Sequence, residues 1–170
     1  MFKVKKRVML VEDDLTIGAE TMKMMNDFLK INDYEGVWAK NGKEALAIYH
    51  KNKRWFGLKQ NNLRCILLDL RMPEMDGVEF VKALRKIENR NIFARTIPVV
   101  FVTGWEDEEK WQTAIDSFVA AYIKKPITTE KLKEVLSSII HYTNAENMAL
   151  QTSKEGIEKI IKFDEEENQK

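Results

Sequence analysis

The sequence predicts an α/β protein in which helices cover both faces of one doubly wound parallel sheet. Short apolar runs alternate with segments whose apolar residues recur at helical spacing, and this happens five times along the chain. Such alternation is typical of parallel sheets. The runs are apolar throughout, as in C-I-L-L before Asp69, which is expected of strands buried on both faces. The 170 residues suffice for one such domain and an appendage.

The elements can be justified in order. Strands are predicted at residues 7–11 (R-V-M-L-V), 34–39, 63–68, 97–102 and 119–123. Helices are predicted at residues 15–31, 44–51, 78–87, 111–118 and 129–142, each with apolar residues on one face. The dipeptide Asn41-Gly42 marks the turn into the second helix. A polar loop at residues 54–62 and a tail after Asn144 look like additions to this pattern.

Composition narrows the class of protein. The formal net charge is +1, so no global field attracts the chain to nucleic acid or to an anionic membrane. The single cysteine, Cys65, lies in an apolar run and is expected to be a core residue in a reducing compartment. The apolar run behind the basic start breaks at Glu12, too early for a signal peptide or a membrane span. We therefore expect a cytoplasmic protein.

Polar residues gather at the carboxyl ends of four predicted strands, where open α/β sheets bind ligands. The first strand ends in Glu12, Asp13 and Asp14, whereas the second ends in Ala39-Lys40, which offers no comparable chemistry. The other three ends carry Asp69, Thr103 and Lys124-Lys125 before Pro126. If these strands are neighbours, three carboxylates, a hydroxyl and an ammonium meet at one place.

This combination suits phosphoryl transfer. Clustered carboxylates repel one another and favour a hard divalent cation such as Mg²⁺. Such a cation also binds phosphoryl oxygens, and a carboxylate can act as the nucleophile and form an acyl phosphate. Thr103 could donate to one phosphoryl oxygen, and a lysine could neutralise another.

Each residue alone also has an ordinary structural explanation. Asp13 or Asp14 could cap the first helix, Lys125 could be a surface lysine, and Thr103 could be a turn residue. Asp76-Gly77 is interpreted as a turn and helix start outside the site. The agreement of four strand ends favours a functional site.

Five separated motifs stand out along the chain: V-E-D-D at 11–14, A-K-N-G-K-E-A-L at 39–46, L-L-D-L-R-M-P-E-M-D-G at 67–77, V-T-G at 102–104 and Y-I-K-K-P at 122–126. Together they resemble the receiver domain of bacterial response regulators, the CheY-like family. The resemblance implies a flavodoxin-like (β/α)5 fold with strand order 2-1-3-4-5. It implies a receiver domain at residues 5–143, followed by a tail or helical extension at 144–170.

The resemblance also implies roles for particular residues. Asp69 would accept the phosphoryl group, and Mg²⁺ would be held by Glu12, Asp13, Asp69 and the backbone carbonyl of Arg71. Thr103 would be the switch hydroxyl and Tyr122 the switch aromatic. Lys125, which directly precedes Pro126, would bind phosphate, with a cis Lys125-Pro126 bond. Arg71 and Trp105 stand where the family tunes the lifetime of the phosphate, although Trp105 could equally be a packing residue.

The predicted function is a signalling switch and not an enzyme. The donor would be a histidine kinase or a phosphotransfer protein, and a face of the fourth helix, fifth strand and fifth helix would mediate homodimerisation or docking. An output domain or partner could follow the tail; direct DNA binding and membrane association are not expected. Two rivals are a haloacid-dehalogenase-type phosphohydrolase, which would need an Asp where Arg71 stands, and an unphosphorylated pseudo-receiver.

Overall fold

The computed structural model of the protein describes residues 5–51, 62–90, 96–104 and 119–144. The strands in these ranges are β1 (Lys6–Val11), β2 (Tyr34–Ala39), β3 (Leu63–Asp69), β4 (Val99–Thr103) and β5 (Ala121–Lys124). The helices are α1 (Leu15–Ile31), α2 (Gly42–Lys51), α3 (Gly77–Asn89) and α4 (Thr129–Asn144). α4 is the fifth predicted helix, because the fourth, at residues 111–118, lies outside the described ranges. Trp105, most of the predicted polar loop and the tail beyond residue 144 also lie outside them.

The five strands form one parallel sheet in the order β2-β1-β3-β4-β5, which confirms the predicted topology. The element boundaries differ slightly from the prediction. β4 begins at Val99 and not at residue 97, because Pro98 has no N–H for the ladder, although its carbonyl accepts from Ile66 N at 3.0 Å. α2 begins at Gly42, two residues early, because the Asn41 side chain already accepts from Glu44 N at 2.8 Å.

The sheet separates two apolar layers. On one face, α2 and α3 pack against alternate strand residues such as Met9 and Ile66. On the other, α1 and α4 pack against Val8, Leu10 and Leu67. β1 and β3 are therefore covered on both sides, which explains why their sequences are apolar without alternation.

None of the helices in the described part of the chain is long and apolar enough to cross a bilayer. These helices expose most of their charged residues, with Glu88 of α3 as an exception, and α1 exposes one apolar side chain at each end, Leu15 and Ile31. The Lys125-Pro126 peptide bond is cis, as predicted.

Candidate functional site

The strand register brings the predicted site residues to one level of the sheet. Val11 of β1 is aligned with Leu68 of β3, so the residues that follow them, Glu12 and Asp69, are neighbours. Asp69 is in turn aligned with Val102 of β4, one residue before Thr103. The carboxyl ends of β1, β3 and β4 thus converge, as the sequence predicted.

The three acidic residues in the turn after β1 have different contacts. Asp14 is the N-cap of α1, and its side chain accepts from Thr16 N at 2.8 Å and Ile17 N at 2.9 Å. This resolves the alternative between Asp13 and Asp14. Glu12 is 2% exposed and Asp13 is more exposed, and both carboxylates lie beside Asp69.

Lys125 lies between the two buried carboxylates. Its Nζ is 2.9 Å from Asp69 Oδ2 and 3.0 Å from Glu12 Oε2. Its backbone N–H donates to the carbonyl of Thr103 at 2.8 Å, which fixes the chain just after β5. The ammonium therefore compensates charges on β1 and β3 that burial would otherwise make costly.

Burial and neighbouring charged groups both shift the pKa values of Glu12 and Lys125. Burial raises the pKa of Glu12 above its ordinary value; the hydrogen bond from Lys125 opposes the shift, and the charge of Asp69 adds to it. Burial lowers the pKa of Lys125, but its hydrogen bonds to Asp69 and Glu12 outweigh that effect and leave the pKa raised. The ammonium is therefore charged at neutral pH.

The carboxylates fit a single divalent cation. One oxygen each from Glu12, Asp13 and Asp69 lies within 4.8 Å of the others. Oxygens this close together can contribute to one site for a cation such as Mg²⁺, which takes a few protein oxygens and keeps several waters. Hard oxygen ligands of this kind suit Mg²⁺ and not a soft metal.

Three of the other predicted site residues lie in the described part of the chain. Thr103 is 4% exposed, and its hydroxyl donates to the carbonyl of Gly104 at 2.9 Å. The backbone N–H of Arg71 donates to Asp69 Oδ1 at 3.4 Å, and the Arg71 side chain is exposed. Tyr122 of β5 is partly buried and packs against the layer of α2 and α3. Trp105 lies outside the described residues.

The start of α3 supports the end of β3. The Asp76 side chain accepts from Glu79 N at 2.8 Å, and Glu79 reaches back to Asp76 N at 3.0 Å, which is a capping box. A Cβ at Gly77 would lie 2.5 Å from the carbonyl oxygen of Asp69, so only glycine allows this close approach. Asp76-Gly77 is a helix start, as interpreted from the sequence.

Two side-chain interactions, of Trp38 and of Glu88, were not predicted from the sequence. Trp38, on the strand whose end seemed uninformative, donates from Nε1 to the carbonyl of Glu12 at 2.9 Å. At the opposite end of the sheet, Glu88 is 4% exposed and pairs with Arg85 at 2.6 Å. The position of Trp38, an aromatic residue just before the end of a strand, could have indicated its contact. A single Arg-Glu pair at helical spacing is too common to have indicated the buried Arg85-Glu88 pair.

Comparisons with known proteins agree with this geometry. The sequence model of the family described as "Response regulator receiver domain" matches residues 8–137. The polar-differentiation response regulator DivK of Brucella anthropi is 29% identical over 135 residues, which cover 79% of this chain and 96% of DivK. Hybrid signal transduction histidine kinase I of Dictyostelium discoideum is 30% identical over 89% of this chain, which spans 8% of that protein.

Solved structures of receiver proteins have the same fold. The chemotaxis response regulator CheY4 of Vibrio cholerae matches with a TM-score of 0.60 and 28% identity over 80% of this chain and 99% of CheY4. A receiver domain from Clostridium thermocellum matches with a TM-score of 0.62 and 19% identity over 82% of this chain and 97% of that one. Because the family match spans most of the sheet and its site, the chain belongs to the response regulator receiver domain family.

Proposed function

We propose that this protein is a phosphorylation-controlled switch in which Asp69 accepts a phosphoryl group from a histidine kinase or a phosphotransfer protein. The observation that carries the proposal is the placement of Asp69: a buried carboxylate at a strand end, 2.9 Å from the Lys125 ammonium and beside Glu12 and Asp13. This carboxylate belongs to the last residue of β3, so the sheet fixes its position.

The transfer itself is a substitution at phosphorus. A carboxylate oxygen of Asp69 attacks, the new O–P bond forms, and the P–N bond of the donor phosphohistidine breaks with its electron pair going to the imidazole nitrogen. Lys125, which neutralises Asp69 before transfer, then neutralises a phosphoryl oxygen. Its second contact, with Glu12, keeps the ammonium in place during this exchange.

Glu12, Asp13, Asp69 and the backbone carbonyl of Arg71 would hold Mg²⁺. When bound, the cation supplies positive charge to the phosphoryl oxygens. Without the cation, the three carboxylates would repel an incoming phosphoryl group. Among the described residues of the pocket, the Lys125 ammonium compensates part of their negative charge. We therefore expect transfer to require the cation.

Thr103 and Tyr122 would convert the modification into a change of surface. After transfer, the Thr103 hydroxyl leaves its bond with the Gly104 carbonyl and donates to a phosphoryl oxygen. The space it vacates admits the partly buried Tyr122. The surface of β5, α4 and the predicted helix at residues 111–118 would then carry dimerisation or docking.

The remaining proposals concern the setting of this switch. The receiver domain would span residues 5–143, and residues 144–170 would be a tail or helical extension leading to an output domain or partner. The protein would act in the cytoplasm as a signalling module whose only chemistry is its own phosphorylation and dephosphorylation. A phosphohydrolase of the haloacid-dehalogenase type is disfavoured, because Arg71 stands where its second Asp is needed.

Phosphorylation by a small-molecule donor tests the proposal. With acetyl phosphate and Mg²⁺, intact-mass spectrometry should show one added phosphoryl group, and Asp69→Asn or a chelator should abolish it. Asp76→Asn is the matched control, because Asp76 is a nearby carboxylate whose capping role asparagine preserves. Equal labelling of Asp69→Asn, or equal labelling without Mg²⁺, would refute the assignment.

A further inference from the structure

Trp38 contacts the turn that carries the acidic pair. It lies on β2, an edge strand, and its side chain crosses toward α1. The indole Nε1 donates to the backbone carbonyl of Glu12 at 2.9 Å. The edge strand β2 supplies no carboxylate or cation to the pocket. Through Trp38, however, it is hydrogen-bonded to Glu12, which supplies a carboxylate.

The position of this bond is significant because the ladder between β1 and β2 ends there. Val11 is aligned with Ala39 in the last register pair, and the Glu12 N–H still donates to the Ala39 carbonyl at 3.1 Å. The Glu12 carbonyl lies beyond the ladder, and the indole supplies its donor. The Glu12 carboxylate is held separately by Lys125, so backbone and side chain are both fixed.

Gly18 of α1 makes room for the indole. A Cβ at Gly18 would lie 2.1 Å from Cζ2 of Trp38 and 2.6 Å from Cε2. The ring therefore occupies volume that any other residue at position 18 would fill. Glycine within a helix is less favourable than alanine, so the space made at Gly18 for the ring lowers the intrinsic stability of α1.

We propose that Trp38 is a positioning residue for the acidic pocket: its indole N–H fixes the turn between β1 and α1 and so holds the carboxylates of Glu12 and Asp13 beside Asp69. This inference rests on the metal site of the proposed function. Groups that orient ligands without touching the metal commonly change metal affinity. The net value of one hydrogen bond corresponds to a loss of affinity of about three- to tenfold.

The test removes the donor while keeping an aromatic ring. Trp38→Phe should bind Mg²⁺ about three- to tenfold more weakly than the wild type in isothermal titration calorimetry. Tyr34→Phe is the matched control, because it removes a polar atom from the same face of β2 about 13 Å away. Its Mg²⁺ affinity should equal that of the wild type. Gly18→Ala, which displaces the ring but keeps the indole, should weaken binding as Trp38→Phe does.

The outcomes separate this inference from the proposed function. If the wild type binds Mg²⁺ and both Trp38→Phe and Gly18→Ala bind it equally well, the positioning role is wrong and the metal site stands. If the wild type binds no Mg²⁺, the metal site itself is wrong, and the positioning role with it. The indole N–H of Trp38 in the wild type, assigned by NMR, should exchange at least about tenfold more slowly than free indole. Exchange at the free rate would overturn the inference even if neither variant folds.

Discussion

At the scale of single residues, Glu12 shows how the pocket is balanced. It is nearly fully buried, and burial raises the pKa of its carboxyl even though Lys125 lies 3.0 Å away. Keeping Glu12 ionised therefore has a cost in free energy, as expected of a ligand group held ready for a cation.

This cost predicts a pH dependence of stability. Because the folded pKa of Glu12 lies above its ordinary value of 4.5, the folded state binds more protons, and the contribution of Glu12 to stability falls as pH rises through that window. Glu12→Gln lacks this loss. Its free energy of unfolding relative to the wild type should rise with pH above 4.5, by at most about 1.4 kcal/mol per pH unit. Urea unfolding in a chelator measures this; a difference that is flat or falls with pH would contradict it.

Cys65 should be inert in the folded protein. It is fully buried in the sheet, and burial raises the pKa of its thiol to about 12. At pH 8 a thiol reagent should label Cys65 rapidly in urea and at least about a hundredfold more slowly in buffer, since reaction requires opening of the core. Rapid labelling of the native protein would show that the strand is accessible.

The lifetime of the phosphoryl group is predicted to depend on residue 105. Neither Arg71 nor Trp105 has a carboxylate or amide to orient an attacking water, so we expect slow self-dephosphorylation. Trp105→Glu should speed decay several-fold if the indole excludes water. Decay is measured as loss of the phosphoryl group from the labelled protein. An unchanged decay rate would show that Trp105 is only a packing residue.

At the scale of elements, α3 is fixed differently at its two ends. The capping box of Asp76 and Glu79 defines its start on the surface. Near its other end, Glu88 accepts from Arg85 at 2.6 Å and from Ile97 N at 2.9 Å, while Arg85 donates to the Ile97 carbonyl at 3.0 Å. The buried pair thus attaches α3 to the chain that enters β4.

The contacts at the two ends of α3 should contribute differently to the free energy of unfolding. Glu88→Ala leaves the mostly buried Arg85 without its carboxylate and should lower the free energy of unfolding by about 3–5 kcal/mol. Glu79→Ala, the control in the same helix, removes half of a surface capping box and should lower it by about 1 kcal/mol or less. Chemical denaturation measures both. Equal losses would mean that water reaches the buried pair.

At the scale of the whole molecule, phosphorylation should act on one edge of the sheet. Hydrogen exchange should change in β5 and in the adjacent α4 when Asp69 is phosphorylated, because Thr103 ends β4 and Tyr122 lies on the edge strand β5 beside it. Asp69→Asn treated in the same way is the control. A change confined to α2, which contacts the opposite edge strand β2, would contradict this prediction.

The alternation of strands and helices could be predicted from the sequence because β3 and β4 are buried on both faces and the described helices on one face. The strand order, and the choice of Lys125 over Lys124, came from the resemblance to receiver domains. That Asp69 and a lysine come together could be predicted because strand ends of a parallel sheet meet. Trp38 and the Arg85-Glu88 pair could not, since both depend on how side chains cross between elements. Residue spacing fixes faces of helices and strands but does not fix which carbonyl an indole reaches.

Lys125 has a mechanical consequence as well as an electrostatic one. The residue is joined to Glu12 and Asp69 through its side chain and to Thr103 through its backbone, so it connects the ends of three strands. It also stands immediately after β5, which is four residues long and forms the edge of the sheet. An edge strand pairs with one neighbour and so has fewer ladder hydrogen bonds than an inner strand. A displacement of the Asp69 carboxylate would therefore reach this edge strand through one side chain.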